Sequence, residues 1–403
     1  LRRLILVANL VLTSAEVNTE YCDIITKSCE KEIKVTDGKR QIFYDVNPPE
    51  GFNLRRDVYM RFAIMLSEAQ TRGNDNWELV LPPWYNLFHW KSDRRIPKPW
   101  SKFFDIDSLK SYAPVVEMHE VFSETKKKKL ELDTLYILQN FEEPSGGFDN
   151  TIFEEKWEVV GDCSHNKQFW GYDNVTVKEV LCVQFQGKNS KLRELISLHP
   201  HDKKVMFAHG EIPLHDSYGT KTYWDCRKSM KFNKNLINIA ANYILQYLNC
   251  DIDQCKTYLS VHWRRQDFAR SRGNDVPTIS GTAKQIHKAL KKLSNIKKVF
   301  IATDASMSEL NKLEKELINF GYEVHFFLPS VTIIDEYGDG GIAIIDQIIC
   351  SHAAYFIGTH DSTFSYRIQE EREILGFDSS STFNRLCPDT GHCERVPKWT
   401  IVH

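Results

Sequence analysis

Arg264 and Arg265 stand side by side in His262-Trp263-Arg264-Arg265-Gln266-Asp267, directly after the apolar run Thr257-Tyr258-Leu259-Ser260-Val261. An arginine cannot shed its proton, and its planar fork matches phosphate oxygens two at a time. Ligands of open α/β sheets bind in the crevice beyond the C-terminal ends of the strands. Two adjacent cations at such an end therefore point to a phosphorylated ligand such as a nucleotide. The competing reading is an Arg–Asp267 ion pair on a solvated turn. Strand alternation turns Arg265 to the opposite face from Arg264, with Asp267 as its expected partner. His262 either assists the phosphates or is a satisfied structural group.

A second cluster of chemical interest is the loop Asn47-Pro48-Pro49-Glu50-Gly51-Phe52-Asn53. Its two prolines fix the backbone and hold Glu50 on a rigid platform, where a carboxylate can take a hydroxyl proton. The alternative is that Glu50 favours the positive end of the helix that follows. Asn53, at that helix start, can offer donors to an anion, and so can Ser362-Thr363-Phe364, which opens another helix; on the residues alone Ser362 reads first as an ordinary N-cap. Asp346 sits among Ile344, Ile345, Ile348 and Ile349, and a buried carboxylate demands donors from a ligand or from an arginine. Asp105-Ile106-Asp107 and Asp251-Ile252-Asp253 mimic a metal–diphosphate motif, but neither follows a clear strand. Trp84, Trp90 and Trp100 read as core.

These residues need a scaffold. In the N-terminal half, a strand over Gln41 to Val46, a helix with Val58, Phe62, Met65 and Leu66 on one face, and a strand from Trp77 to Leu81 make a βαβ unit. Leu135 to Leu138 and Leu181 to Phe185 are further strands, and Lys126 to Lys129 a solvated segment. In the C-terminal half, strands are expected at Tyr258–Trp263, Lys298–Thr303, Glu323–Leu328 and Tyr355–Gly358. Helices alternate with them at Ser280–Leu293, around Leu310, Leu313 and Leu317, at Ile342–His352 and at Thr363–Leu375. Asp339-Gly340-Gly341 is read as a turn before the third helix. Alternation of this kind implies parallel sheets covered on both faces, here an α/β chain of two Rossmann-like domains facing across a cleft. The expected boundaries are 20–249 and 255–403, joined near Asn249 to Gln254.

The 403 residues suffice for two such cores, and a net charge of −2 offers no field to recruit nucleic acid or an anionic membrane. Leu1-Arg2-Arg3, the apolar run Leu4 to Leu12 and Thr13-Ser14-Ala15 have the layout of a secretory signal peptide over 1–15, too short to span a bilayer of ~30 Å. Ten cysteines in such a chain favour disulfides. Close pairs suggest Cys22–Cys29, Cys163–Cys182, Cys250–Cys255 and Cys387–Cys393, leaving Cys226 and Cys350. No Cys-x-x-Cys appears, so no metal is expected. Asn174-Val175-Thr176 is an N-glycosylation acceptor.

His262-x-Arg264-Arg265-x-Asp267 resembles the signature of fucosyltransferases that use GDP-fucose. The likeness extends to Asp45–Asp57, Leu79–Trp84, Asp339–Gln347, Ser362–Ser365 and Glu370–Glu373, and so over nearly the whole chain from Asp45 to Trp399. The chain is similar to the protein O-fucosyltransferases that modify thrombospondin type 1 repeats. That resemblance implies a GT-B glycosyltransferase, the pairings at Cys163 and Cys387, Glu50 as catalytic base and Arg264 at the breaking bond. It implies donor contacts from Pro49, Gly51, Phe52 and Asn53 in the first half. In the second half they come from His262, Arg264, Asp346, Ser362, Thr363 and Phe364, with Asp346 facing guanine N1–H and the 2-amino group. The expected protein is an inverting, metal-independent enzyme of the endoplasmic reticulum lumen. It is monomeric, takes GDP-β-L-fucose and folded repeats, and is neither membrane-inserted nor bound to nucleic acid. A fucosyltransferase for epidermal-growth-factor-like modules, or a lumenal binder that performs no transfer, would need different acceptor contacts or neither Glu50 nor Arg264.

Overall fold

The computed structural model describes residues 39–403, apart from 72–75, 92–94, 125–128, 142–153, 162, 164–168, 274, 294 and 395. It also describes the backbone of the antiparallel strands Glu20–Asp23 and Ser28–Lys31. Those two strands belong to a unit of their own, with Cys22 and Cys29 as register partners. The leader expected over 1–15, the Cys22–Cys29 bond and Lys126–Lys128 lie outside the described residues.

Runs such as Ile42-Phe43-Tyr44 and Leu79-Val80-Leu81 are apolar without alternation, the pattern of strands buried on both faces of a parallel sheet. They lie inside a seven-stranded sheet. Its order is Val115–Glu117, Trp77–Leu81, Arg40–Tyr44, Lys204–Ala208, Leu130–Gln139, Val175–Gln186 and Lys156–Val160. Lys156–Val160 runs antiparallel on Val175–Gln186, and the other neighbouring pairs are parallel. The inner strand Arg40–Tyr44 delivers the Asp45–Gly51 loop and then the helix Phe52–Thr71.

That helix was expected to bury one face, but Tyr59, Met60, Ala63 and Ile64 are as buried as Val58 and Phe62. The sheet lies on one side of it, and the helices Lys221–Ser229 and Thr363–Ile374 lie on others. Arg56, Asp57 and Arg61 are consequently carried into the interior, where each needs partners.

The second sheet is four-stranded and parallel, in the order Glu323–His325, Lys298–Thr303, Tyr258–Trp263, Tyr355–Ile357. Tyr258–Trp263 and Lys298–Thr303 keep the bounds read from sequence, whereas the Glu323 strand stops at His325, short of Leu328. The third helix opens at Val331, with the Ser330 hydroxyl accepting from Ile333 N, and runs to Ser351. Asp339-Gly340-Gly341 is therefore helical. The break falls one residue earlier, at Gly338, whose φ of 59° and ψ of −162° suit glycine alone. A Cβ at Gly340 would stand 2.5 Å from the Trp90 ring, so glycine there lets the indole close against the helix.

The helix Lys234–Leu248, just ahead of the expected junction, packs on Val331–Ser351. One apolar cluster takes Tyr44 and Phe62 from the first sheet's side and Tyr258 and Phe300 from the second. Trp84, Trp90 and Trp100 are core residues, at most 5 % exposed. Disulfides join Cys163–Cys182, Cys250–Cys255 and Cys387–Cys393, while Cys226 and Cys350 are free and buried. Among the described residues no helix is long and apolar enough to cross a membrane.

Candidate functional site

Tyr258–Trp263 is an inner strand of its sheet, and its last residue hands the chain to Arg264 at the C-terminal edge. Thr359, from the neighbouring strand end, fixes this corner: its hydroxyl donates to His262 O at 2.7 Å and accepts from Arg264 N at 3.0 Å. The Arg264 guanidinium lies between two carboxylates, Asp267 at 2.6 Å and Asp304 at 2.6 Å. Asp267 is thus the partner of Arg264. Arg265 turns away as expected but pairs with Glu309 at 2.8 Å, a partner 44 residues distant that the local sequence does not disclose.

His262 is buried. Its Nδ1 meets Ser365 Oγ at 2.8 Å and its ring stacks on Phe364 with centroids 4.3 Å apart. Burial, with Arg264 close by, pushes its pKa down to about 3, so the imidazole is neutral at physiological pH. Ser365 Oγ also accepts from Thr359 N at 2.9 Å, and the tautomer in which its own proton goes to Nδ1 carries the imidazole hydrogen on Nε2 as a donor. Ser362 occupies the N-cap position of Thr363–Ile374 without making the capping bond, so its hydroxyl is not committed to the helix.

Glu50 directly precedes the Phe52–Thr71 helix, and its carboxylate accepts no hydrogen bond from the described residues. Burial and the nearby Glu211 carboxylate raise its pKa, and Arg55 opposes them. Glu211 stays below the ordinary range despite its burial, because it receives hydrogen bonds from His209 and from Asn47 N. A cavity of about 270 Å³ opens beside the loop, lined by Asn47, Pro48, Arg55, Tyr85, Trp170 and His209 among others.

Sequence reasoning missed His89. A Cβ built at Gly51 would stand 3.4 Å from His89 Cδ2, and the same imidazole has its pKa lowered by burial and by the charge of Arg264. His89 therefore links the Glu50 loop to the Arg264 corner. No motif marks it, because it arrives on an irregular loop.

Phe52 turns inward against Trp84, Trp90 and Phe103. Asn53 is 8 % exposed, and its Oδ1 accepts from Arg56 and from Gln347. Of the two partners weighed for Asp346, no arginine is present: Oδ1 is buried without a hydrogen-bond partner, and burial raises the pKa far above the carboxylate range. Such a group is stable either protonated or against a donor-rich ligand. Asp105 and Asp251 cap short helical turns, and among the described residues no group of three His, Cys, Asp or Glu could hold a metal ion.

The sequence also concealed an interior ionic network. Asp57 pairs with Arg61 at 2.8 Å, Arg367 at 2.7 Å and His215 at 3.1 Å. Glu370 pairs with Arg367 and Arg227, both at 2.8 Å. The network ties Phe52–Thr71 to Lys221–Ser229 and Thr363–Ile374, and so holds the Glu50 loop in register with the Ser362 loop. Its available signal was Arg55-Arg56-Asp57 inside an otherwise apolar helix.

Two α/β layers, one parallel and one parallel but for its edge strand, with charged and hydrogen-bonding groups gathered at C-terminal strand ends, have the GT-B arrangement found in glycosyltransferases. Residues 42–375 match the GDP-fucose protein O-fucosyltransferase family, and the chain belongs to it. It is 39 % identical to GDP-fucose protein O-fucosyltransferase 2 of Caenorhabditis elegans, over 91 % of each chain. It is 38 % identical to the Homo sapiens protein of the same name, over 91 % of this chain and 90 % of that one. In fold it is similar to the crystal structure of POFUT1 in complex with GDP-fucose, at a TM-score of 0.59 and 16 % identity, over 87 % of this chain and 98 % of that one.

Proposed function

We propose that this enzyme moves fucose from GDP-β-L-fucose to a Ser or Thr hydroxyl of a folded, disulfide-bonded thrombospondin type 1 repeat, inverting the anomeric centre. The observation that carries this reading is the meeting of two opposite chemistries in one site. A carboxylate with a raised pKa, Glu50, stands on the loop whose Gly51 packs against His89, and the same imidazole is close enough to the strand-end guanidinium of Arg264 to have its pKa lowered by that charge.

Glu50 takes the acceptor's proton as the hydroxyl attacks, and its raised pKa makes it a stronger base than an exposed glutamate. Arg264 turns from its aspartates to the β-phosphate and neutralises the charge that builds on the leaving GDP. His262 Nε2–H, Asn53 and the Ser362-Thr363-Phe364 helix start donate to the diphosphate, with Pro49, Gly51 and Phe52 shaping the approach. Asp346 accepts from guanine. One displacement on one face gives the α-linked product. Arg264 supplies the cation, so no metal is needed. The acceptor enters from the Glu50 side, beside the cavity at Asn47 and Trp170. The disulfides among the described residues agree with work in an oxidising compartment, which we take to be the endoplasmic reticulum lumen, and we take the enzyme to act as a monomer.

The test is transfer by the purified protein, with GDP-fucose and GDP-mannose as donors and folded thrombospondin type 1 and epidermal-growth-factor-like modules as acceptors. Product anomers are read by NMR. α-Fucosylation of the thrombospondin repeat alone is expected. Transfer only to the other module, or a β-linked product, would overturn the acceptor or the stereochemistry respectively.

A further inference from the structure

Arg56 lies on the Phe52–Thr71 helix, three residues beyond Asn53, and is fully buried without a carboxylate in contact. Its Nη1 donates to Gln347 Oε1 at 2.9 Å and to Asn53 Oδ1 at 3.3 Å, while Nε and Nη2 have no hydrogen-bond partner. Its flanks are the rings of Phe104 and Phe232, centred 5.3 and 5.2 Å away. Gln347, on the Val331–Ser351 helix, closes the triangle by donating from Nε2 to Asn53 Oδ1 at 3.0 Å.

An arginine has donors and no acceptor, and this determines both neighbouring amides. Each must turn its carbonyl oxygen toward the guanidinium. Gln347 then has only its amino group to offer Asn53, and it reaches the same Asn53 oxygen. With that oxygen doubly engaged, the Asn53 Nδ2 amino group is the part of the side chain left over, and it donates to nothing among the described residues. The triangle joins helices from the two halves of the molecule, so the orientation of Asn53 also depends on their alignment.

We propose that Arg56 is a positioning residue that, together with Gln347, locks the Asn53 amide with its NH₂ toward the ligand, creating a fixed donor for the diphosphate of the sugar nucleotide. This rests on the GDP-fucose reading above. Arg56 does not touch the ligand. It removes the alternative amide rotamer, which would present an oxygen to an anion.

The experiment measures GDP affinity by calorimetry and thermal stability by differential scanning fluorimetry on the full chain, for wild type, Asn53→Asp, Arg56→Met and Arg56→Lys. Asn53→Asp keeps an oxygen for Arg56 and gives that cation a carboxylate, but replaces the outward amino group by an oxygen. It should melt no lower than wild type and bind GDP at least tenfold more weakly, as expected for losing one hydrogen bond to a charged group. Arg56→Met should also weaken GDP about tenfold, with Arg56→Lys recovering part of the loss. A merely structural Arg56 would instead lower the melting point and leave Asn53→Asp with wild-type affinity. Wild-type GDP binding by Asn53→Asp would overturn the proposal while leaving the donor reading intact; absence of GDP binding by the wild-type chain would overturn both.

Discussion

Replacing Arg264 by alanine removes the cation at the C-terminal end of Tyr258–Trp263 and leaves Asp267 and Asp304, each 2.6 Å from it in the native protein, facing the donor site. A unit phosphate charge ~5 Å from the guanidinium at an effective dielectric of ~20 is held by about 3 kcal/mol. This agrees in size with the loss of one oxyanion donor in other enzymes. The expected consequence is a fall in kcat/KM of about 10²-fold. Repulsion from the two exposed carboxylates adds to it. Arg264→Lys keeps the charge but not the fork, and should fall between. The corner itself should survive, because Asp304 still accepts from Arg265 N at 2.6 Å and Thr359 still bonds Arg264 N and His262 O. GDP release from GDP-fucose with a folded acceptor is the assay, with circular dichroism as the control for folding. A loss of less than about fivefold in a folded Arg264→Ala protein would refute the assignment.

Four further outcomes follow from the same geometry. The acid limb of kcat/KM should lie above the ordinary glutamate pKa of 4.5, since Glu50 acts only when ionised and burial and Glu211 raise its pKa; a limb at or below that value in a pH–rate profile would contradict this. Activity should persist in EDTA, and abolition rescued by Mn²⁺ would mean that a metal site exists. Asp57→Ala strands Arg61, Arg367 and His215, and should cost about 3–5 kcal/mol in urea unfolding; a cost below ~1 kcal/mol would show that the network is not holding the helices. Despite its burial, Asp57 is kept well below the usual carboxylate range by His215 and Arg367, so its contribution is present at neutral pH and lost as acid protonates it. A repeat that is reduced and alkylated should be a poor acceptor, because a preformed surface loses less entropy on binding; equal kcat/KM for both forms would leave only a linear-sequence reader.

The scaffold was most legible where one short-range rule acts alone. Trp77–Leu81, Tyr258–Trp263 and Lys298–Thr303 are short, mostly apolar runs rich in β-branched and aromatic residues, and their bounds came out unchanged. Met307–Asn319 starts at the Ser306–Glu309 capping box, with Leu310, Leu313 and Leu317 on its buried side. Val331–Gly338 was hidden because glycines that resemble a turn lie in a helix whose packing against Trp90 requires them. At the site, residue types were readable but partners were not. Arg265 finds Glu309, Asp267 goes to Arg264, and His89 reaches Gly51, all through tertiary contacts that leave no local pattern. Arg56 and Asp57 lie outside the apolar face read for their helix, and tertiary packing buries them as well.

The central claim is that Glu50 is the base in fucosyl transfer. It is tested most directly by comparing Glu50→Ala with the wild-type chain in transfer from GDP-fucose to a folded thrombospondin type 1 repeat, with GDP affinity measured alongside. Turnover should fall by ~10²-fold or more while GDP affinity stays within about twofold, because general base catalysis contributes on that order and Glu50 is not a diphosphate contact. Near-normal turnover of the folded repeat by Glu50→Ala would contradict it.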